Sequence, residues 1–226
     1  MIGQMRPGTC PSSQQVRGGV TENLITQASP VAFTKAGFGA SSVRSLLSAP
    51  YHSLGMTRGM RDGGVALVMN TEVAWPSPRL AVVYNSGTLT DKQEPATGEV
   101  LTYPCAGTTD VNFQLRNETP NPVPGRDLLA QPLGHPITIR VRGGDFLAIT
   151  SVTMVNSVTG ASVALRPIIN ATNDPNGPGF FTLSDAYTIP DAPLAPNTSY
   201  RVTVDGTVNG APFAQKSFTF TTGTGG

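Results

Sequence analysis

The side chain in this sequence best suited to chemistry is His52, one of only two histidines, in the stretch SAPYHSLGM. Histidine is a common metal ligand and a usual general base near neutral pH. Two interpretations of His52 are open. It either lines a ligand-binding cleft, or it lies at the end of a short helix and hydrogen-bonds the carbonyl groups of the last turn.

The sequence gives weaker support for a functional role of the other candidate residues. His135 precedes Pro136 at the start of a predicted strand, with no acidic residue close in sequence, and is interpreted as structural. The loop NATNDPNGPG, residues 170–179, offers oxygen ligands for calcium but lacks the acidic spacing of an EF-hand, which favours a turn. The sequence has no Gly-x-Ser-x-Gly, Walker, His-Glu-x-x-His or Cys-x-x-Cys motif. A serine–histidine pair is recognised by geometry and stays open.

Composition argues against several classes of partner. The net charge is +1, charged residues make up 13% of the chain, and the basic residues are scattered. Nucleic acids and anionic membrane surfaces are bound by clustered basic residues. No apolar run approaches the ~18 residues needed to span a bilayer. We therefore expect no nucleic-acid partner and no transmembrane segment.

The strands are rich in Thr and Asn and poor in Lys and Glu, which favours an extracellular or cell-envelope protein. The first residues, MIGQMRPGTCPSSQQ, lack the charged and apolar regions of a signal peptide. Cys10 and Cys105 lie far apart in sequence. Either a disulfide that closes a long loop or two free thiols fits this spacing.

The elements that position these residues change in character along the chain. GASSVRSLLSAP predicts a short helix that Ser41 or Ser42 caps and Pro50 ends. GGVALVMNTEVAW and RLAVVYNSG predict two neighbouring, antiparallel strands. Repeated prolines and turn-forming residues between 91 and 133 predict an extended connection over the surface.

From residue 134 onward the pattern is that of β-strands. HPITIRVRGG, SYRVTVDGTV and KSFTFTTG alternate apolar and polar side chains, as half-buried strands do, and FFTL is a further strand candidate. Six or seven short strands predict a sandwich. LAPNTSYRVTV resembles the Leu-x-Pro-x-Thr-x-Tyr pattern of fibronectin type III and immunoglobulin-like modules. The resemblance implies that the Tyr200 hydroxyl bonds nearby backbone, with Leu194 packed beneath it.

Two stretches in the first half together resemble the CAP superfamily, which includes cysteine-rich secretory and plant pathogenesis-related proteins. GGVTENLI (18–25) resembles its Glu-Asn-Ile/Leu motif. SVRSLLSAPYHSLGMTRGMRDGGVAL (42–67) resembles the next element of its bacterial, SCP-like secreted members, where a helix ends in a Ser/Ala-Pro-x-His step before a Gly-Val strand. YPCAGTTDVNFQLRNETPNPVPG and the C-terminal portion resemble the region on the C-terminal side of the CAP domain in some bacterial proteins.

This resemblance implies a three-layer α-β-α unit with a cleft lined by two histidines and two acidic residues, which holds a divalent cation in several members. Glu22 matches the acidic residue of the Glu-Asn motif, and His52 matches the histidine of the second stretch. A carboxylate and a neutral imidazole are ordinary ligands of zinc or a similar ion. Glu22 could instead orient the imidazole by a hydrogen bond.

The other half of the family's cleft has no match in this chain. The family's second histidine and second acidic residue lie upstream, whereas the 21 residues before Glu22 contain no His, Asp or Glu. Structural zinc takes four protein ligands and catalytic zinc three. We therefore expect either a truncated CAP domain or a degenerate one.

Together the patterns predict an α+β protein: a partial CAP-like α-β-α unit at 1–115, a Pro-rich linker at 116–133 and an all-β immunoglobulin-like sandwich at 134–226. The resemblance implies a non-enzymatic role, the binding of a lipid, glycan or protein ligand at the cell surface. The alternatives are a metal-assisted or nucleophilic hydrolase using Glu22 and His52, and an adhesion module acting through the edges of the sandwich. Apart from a divalent cation such as zinc, we expect no cofactor.

Overall fold

The computed structural model of the chain describes residues 20–28, 35–59, 62–70, 79–87 and 93–225, and describes side-chain surroundings for 39–59 and 93–225. In these ranges the fold is α+β, with two short helices and three antiparallel sheets. The helices are α1 (Lys35–Leu47) and α2 (Pro50–Thr57). The strands are β1 (Val20–Ala28), β2 (Asp62–Asn70), β3 (Arg79–Gly87), β4 (Leu101–Tyr103), β5 (Ile137–Arg140), β6 (Leu147–Asn156), β7 (Ile169–Asn170), β8 (Asp185–Thr188), β9 (Ser199–Val208), β10 (Ala211–Pro212) and β11 (Lys216–Thr221).

The first sheet has the order β1-β3-β2, and both outer strands run antiparallel to β3. The predicted antiparallel pairing of β2 with β3 is confirmed, with Val65 opposite Tyr84. Helices α1 and α2 are both adjacent to β1. The sheet and the helices thus bring the Glu-Asn stretch and the stretch that contains His52 into neighbouring elements.

The helices differ from the sequence prediction in where they begin. Helix α1 starts at Lys35, so Ser41 and Ser42 lie inside it and the prediction that either serine caps it is wrong. Pro50 does not follow the helix directly but opens α2, with Ala49 at the N-cap. Proline is well suited to the first turn of a helix because its missing N–H would have no partner there.

The other two sheets share one hydrophobic core. Their orders are β4-β5-β8-β7 and β6-β9-β11, with β10 also paired to β9. The predicted alternation in β9 and β11 is confirmed, because Tyr200, Val202 and Val204 are buried, as are Phe218 and Phe220. The further core residues from both sheets include Ile137, Ile139, Val141, Met154 and Ala186.

Strand β5 was predicted to expose one face to solvent, and this prediction is wrong. Thr138 on its second face is as buried as Ile137 and Ile139 on the first. The stretch FFTL was also predicted as a strand, but residues 180–183 lie in a bend and turn before β8, with Phe180 and Leu183 exposed. The burial of Thr138 reflects a third layer on this face of the sheet, beside Tyr187, that the local pattern does not report.

The third layer is formed by α2 together with the segment 115–133. Its hydrophobic cluster contains Ala49, Tyr51 and Leu54 from the helix region, Leu115, Leu128 and Leu133 from the segment, and Phe181, Tyr187 and Ile189 beside and within the β-structure. The segment is irregular, as predicted, but Leu115, Leu128 and Leu133 are buried rather than on the surface. Leu115 and Leu133 exchange backbone hydrogen bonds of 2.8 and 3.0 Å, which closes the segment into a loop.

The tyrosine at the start of β9 behaves as predicted. The Ala195 N–H donates to the Tyr200 hydroxyl oxygen at 2.8 Å, and Tyr200 and Leu194 are both buried in the shared core. Strand β4, from the portion predicted as CAP-like, pairs with β5. The division into 1–115, 116–133 and 134–226 stays a prediction. In the part of the chain that the structure describes, no helix is long and apolar enough to cross a membrane.

Candidate functional site

Helix α2, which carries His52, is held at both ends by charged side chains from the β-structure and its connecting segment. At the N-terminus the Glu118 Oε1 atom accepts the Tyr51 N–H at 2.7 Å and the His52 N–H at 3.3 Å. At the C-terminus Arg140 donates from Nη1 to the Thr57 carbonyl at 2.8 Å. An anion at the N-terminus and a cation at the C-terminus both oppose the helix dipole. These contacts take the place of the side-chain N-cap that α2 lacks.

The His52 ring contacts the same carboxylate. Its Nδ1 atom lies 3.3 Å from Glu118 Oε1, and 24% of its side chain is exposed while the Glu118 side chain is fully buried. The interpretation that His52 binds the last carbonyl groups of a helix is therefore wrong. His52 lies in the first turn of α2, and a carboxylate is its partner. A proton on Nδ1 shared with Glu118 would leave Nε2 as the nitrogen that carries the lone pair.

Burial dominates the electrostatics of Glu118. The removal of its carboxylate from water raises the pKa, and the hydrogen bond and charge of His52 oppose that rise. The second oxygen, Oε2, is buried without a hydrogen-bond partner among the described residues. Glu118 is thus a tightly enclosed carboxylate whose one satisfied oxygen serves both the helix end and the imidazole.

The predicted partner of His52 was Glu22, which lies in β1 opposite Asn85 of β3. The Glu22 side chain lies outside the described part of the structure, so a Glu22–His52 pair stays a prediction. Glu118 was not predicted from the sequence as a partner of His52. It lies 66 residues from His52 in the stretch NETPNP, and no spacing rule connects an irregular segment to a helix so far away.

Metal ligands are sparse in the described residues, where no group of three or more His, Cys, Asp or Glu side chains could hold an ion. The described part of this site offers at most His52 Nε2 and the second oxygen of Glu118, fewer than the three or four protein ligands that zinc takes. We therefore derive no chemical step through a metal.

In the loop 170–179 the side-chain oxygens of Asn170 and Asn173 accept hydrogen bonds within the fold. The Asn170 oxygen accepts the Thr172 N–H at 2.8 Å, and the Asn173 oxygen accepts the Asn170 N–H at 2.8 Å. These are the contacts of a turn, as predicted.

A groove of about 280 Å³ opens beside the third layer. Four prolines form much of its wall: Pro122, Pro124, Pro167 and Pro175. Val123, Ile169, Ile189 and Tyr187 add apolar surface, and Arg166 and Asn173 are its polar members. The cleft that the CAP resemblance implies belongs to the N-terminal half, whereas this groove lies between the segment 115–133, the strands β7 and β8 and the loop after β7.

The charged end of the groove is an arginine pair on one carboxylate. Asp191 Oδ1 accepts from Arg166 Nη1 at 2.7 Å and from Arg126 Nη1 at 2.8 Å. The hydrogen bond from Arg166 has the largest effect and lowers the pKa of Asp191. Desolvation opposes this shift, and the hydrogen bond from Arg126 adds to it. Arg126 also donates to the carbonyls of Gln131 and Asp191. Two guanidinium groups on one carboxylate leave a net positive charge at this end.

A polar network behind the groove joins it to α2. The Tyr51 hydroxyl donates to Asp174 Oδ1 at 2.6 Å and accepts from Asn176 Nδ2 at 2.7 Å. Burial, followed by the hydrogen bond to Asp174, raises the pKa of Tyr51 to about 12. The groove is therefore fixed to the same helix that carries His52, through the residue before it.

Fold and site together define an α+β protein with a clamped helix, a buried carboxylate–imidazole pair and an apolar groove. Comparison with known proteins adds no family to this description. No protein-family model matches the chain, and no curated protein shows significant sequence similarity to it.

Proposed function

We propose that the chain is a secreted or cell-envelope protein, with a CAP-like α+β portion and an immunoglobulin-like sandwich, that binds a lipid, glycan or protein ligand without catalysis. The observation that carries the binding role is the groove of about 280 Å³. Most of its lining is apolar with few polar groups, which is the composition of small-ligand sites.

The strand order supports the immunoglobulin-like part of the proposal. In that fold, strands A-B-E-D form one sheet and C-F-G the other. With β4 as strand A, the two-residue β10 left out and the other strands lettered in chain order, the sheets β4-β5-β8-β7 and β6-β9-β11 have this arrangement. The hydrogen bond to the Tyr200 hydroxyl corresponds to the tyrosine corner of the same fold.

The order of the first elements supports the CAP-like part. The Glu-Asn stretch lies in β1, the Pro-x-His step follows in α1 and α2, and the Gly-Val stretch forms β2. Both helices adjoin β1, the strand of Glu22. This is one sheet with helices against it, as one half of a layered α-β-α unit requires.

The binding role is tested with the neutral apolar dye N-phenyl-1-naphthylamine. We expect its fluorescence to rise on binding to the whole chain and Ile169→Asp to weaken that binding, because a carboxylate in the groove opposes an apolar ligand. Val158→Asp makes a similar change at an exposed residue and should leave binding unchanged. Equal dye affinity in the wild type and in Ile169→Asp, with both folded by circular dichroism, would contradict the groove as the site.

A hydrolase that uses Glu22 and His52 is the second candidate, and the contact between His52 and Glu118 is the observation that favours it. A carboxylate on one ring nitrogen fixes the orientation of an imidazole and leaves the other nitrogen available as a ligand or base. Metal analysis tests this candidate. Stoichiometric zinc in the wild type that is lost in His52→Ala and in Glu22→Ala would support it, and a metal-free wild type purified without chelators would remove its main support.

A further inference from the structure

Resting on the proposed binding role, we infer that the groove takes a medium-chain fatty acid, with its carboxylate on Arg166 and its alkyl chain against the proline-rich wall. The inference names one of the three ligand classes that the proposal leaves open. It depends on three features of the groove: its scarcity of hydrogen-bonding groups, a guanidinium that has donors beyond the one bonded to Asp191, and its volume.

The wall of the groove offers few hydrogen-bond donors. Its four prolines have no backbone N–H. Asn173, the one amide side chain in the lining, is already used, since its nitrogen donates to the Ile168 carbonyl at 2.9 Å and its oxygen accepts the Asn170 N–H. A glycan or a peptide needs partners for a hydroxyl or an amide at almost every unit. An alkyl chain needs no hydrogen-bond partner.

Arg166 supplies the polar contact at one end. Among the described residues, its guanidinium makes one hydrogen bond, from Nη1 to Asp191, and 34% of its side chain is exposed. Its neighbour Arg126 is held by Asp191 and by backbone carbonyls. The remaining donors of Arg166 can therefore receive a carboxylate, in the geometry that a planar guanidinium favours.

Carboxylates near another lining residue would repel the same head group. Tyr187 lines the groove and lies near Asp174 and Glu118. One Asp174 oxygen is buried without a partner, and the other accepts the Tyr51 hydroxyl. An acid therefore has one favourable orientation, with its carboxylate at Arg166 and its chain toward Ile169 and Ile189.

The volume sets the length of the chain. At roughly 30 Å³ for each group the size of a water molecule, a groove of about 280 Å³ holds about nine such groups. This matches the alkyl chain of decanoate. Each methylene added up to that length should tighten binding about fourfold, and further methylenes should add little because they would lie in water.

The inference is tested by equilibrium dialysis of radiolabelled acids and alcohols against the whole chain. We expect decanoate to bind more tightly than decanol, and the affinity of the acids to level off at about ten carbons. Arg166→Gln should weaken decanoate about tenfold and leave decanol unchanged, because it removes a charge-assisted contact but little apolar surface. Arg201→Gln, on the exposed side of β9, is the matched control and should change neither.

The outcomes separate this inference from the proposed function. Equal binding of decanoate and decanol, or an equal loss of both in Arg166→Gln, would overturn the contact between Arg166 and a carboxylate. The proposal of an apolar binding groove would remain. Tighter binding of the free acid of acetyl-Leu-Leu than of decanoate would overturn the fatty acid in favour of a peptide carboxyl terminus. Failure of every acid and alcohol to bind, with the naphthylamine dye still bound, overturns the inference alone. Failure of the dye as well overturns both.

Discussion

At the scale of single residues, the two histidines have opposite surroundings. His52 has a carboxylate beside it and part of its ring in solvent, whereas His135 is buried between Tyr103 and Phe220, with ring centres 5.7 and 6.5 Å away. Among the described residues, neither ring nitrogen of His135 has a hydrogen-bond partner of normal geometry. Burial lowers its pKa to about 3, and the nearby backbone of Asn112 offsets only part of that shift. His135 is thus packed in the core as an uncharged side chain, and its protonation in acid destabilises the fold.

The first prediction concerns the stability of the fold in acid. The pKa of His135 is about 3 when folded and near its usual 6.5 when unfolded, so its contribution is present above about pH 6.5 and is lost as the pH falls. At about 1.36 kcal/mol per pKa unit, roughly 3 kcal/mol is lost by about pH 4. His135→Leu should lose that much less stability over the same interval. Urea denaturation at about pH 7.5 and at about pH 4 measures this difference, and parallel losses in both proteins would contradict it.

The second prediction separates the effect of the hydrogen bond that Glu118 accepts from the effect of its charge. Glu118→Gln keeps an oxygen for the Tyr51 N–H, whereas Glu118→Ala leaves the end of α2 without a cap. We expect Ala to cost about 2 kcal/mol in the free energy of unfolding, at the upper end of helix-cap losses, and Gln to cost less than about half of that. Chemical denaturation near neutral pH measures both. Equal losses would mean that the charge, rather than the hydrogen bond, holds the helix end.

At the scale of elements, α2 is a helix that its own sequence does not favour. Its eight residues, PYHSLGMT, include a glycine, and isolated helices of this length are unstable in water. Its stability comes from contacts across the fold, namely Glu118 and Arg140 at the ends and Tyr51 and Leu54 in the third layer. A helix of this kind can orient His52 only while the β-structure beneath it is intact.

The third prediction tests the dependence of α2 on its packing. Leu54 is 1% exposed, so Leu54→Ala leaves a cavity and should cost about 2 to 5 kcal/mol. Met56→Ala, at a partly exposed position in the same helix, should cost less than about 1 kcal/mol. Hydrogen exchange should show faster exchange of the amides of residues 50–57 in Leu54→Ala than in Met56→Ala. Similar exchange in the two variants would contradict the dependence.

At the scale of the whole molecule, local patterns predicted the strands but not the layer that covers them. The period of two in β9 and β11 identified their buried faces, and the residues before Tyr200 identified its backbone contact, because these signals lie within a few neighbouring residues. Thr138 was predicted as exposed because nothing near it in sequence shows that another layer lies on top. Glu118 was missed for the same reason, since its contact with His52 joins residues that only the complete fold brings together.

The last prediction concerns the smallest part of the chain that folds. A fragment of residues 134–226 would keep β5 to β11 but lose β4 and the parallel bridge between Val111 and Thr222. It would also expose the core surface that Val100 and Val111 cover, where each buried side chain contributes about 1.5 to 3 kcal/mol. We expect a fragment of residues 93–226 to unfold cooperatively in urea, and the shorter one to unfold at a much lower concentration or to aggregate.

The longer fragment should also keep the lining of the groove from Pro122 to Pro124, and so bind the naphthylamine dye when the shorter one does not. Equal stability of the two fragments would show that the segment before residue 134 adds little to the core, and dye binding by the shorter fragment would mean that the groove needs no part of that segment.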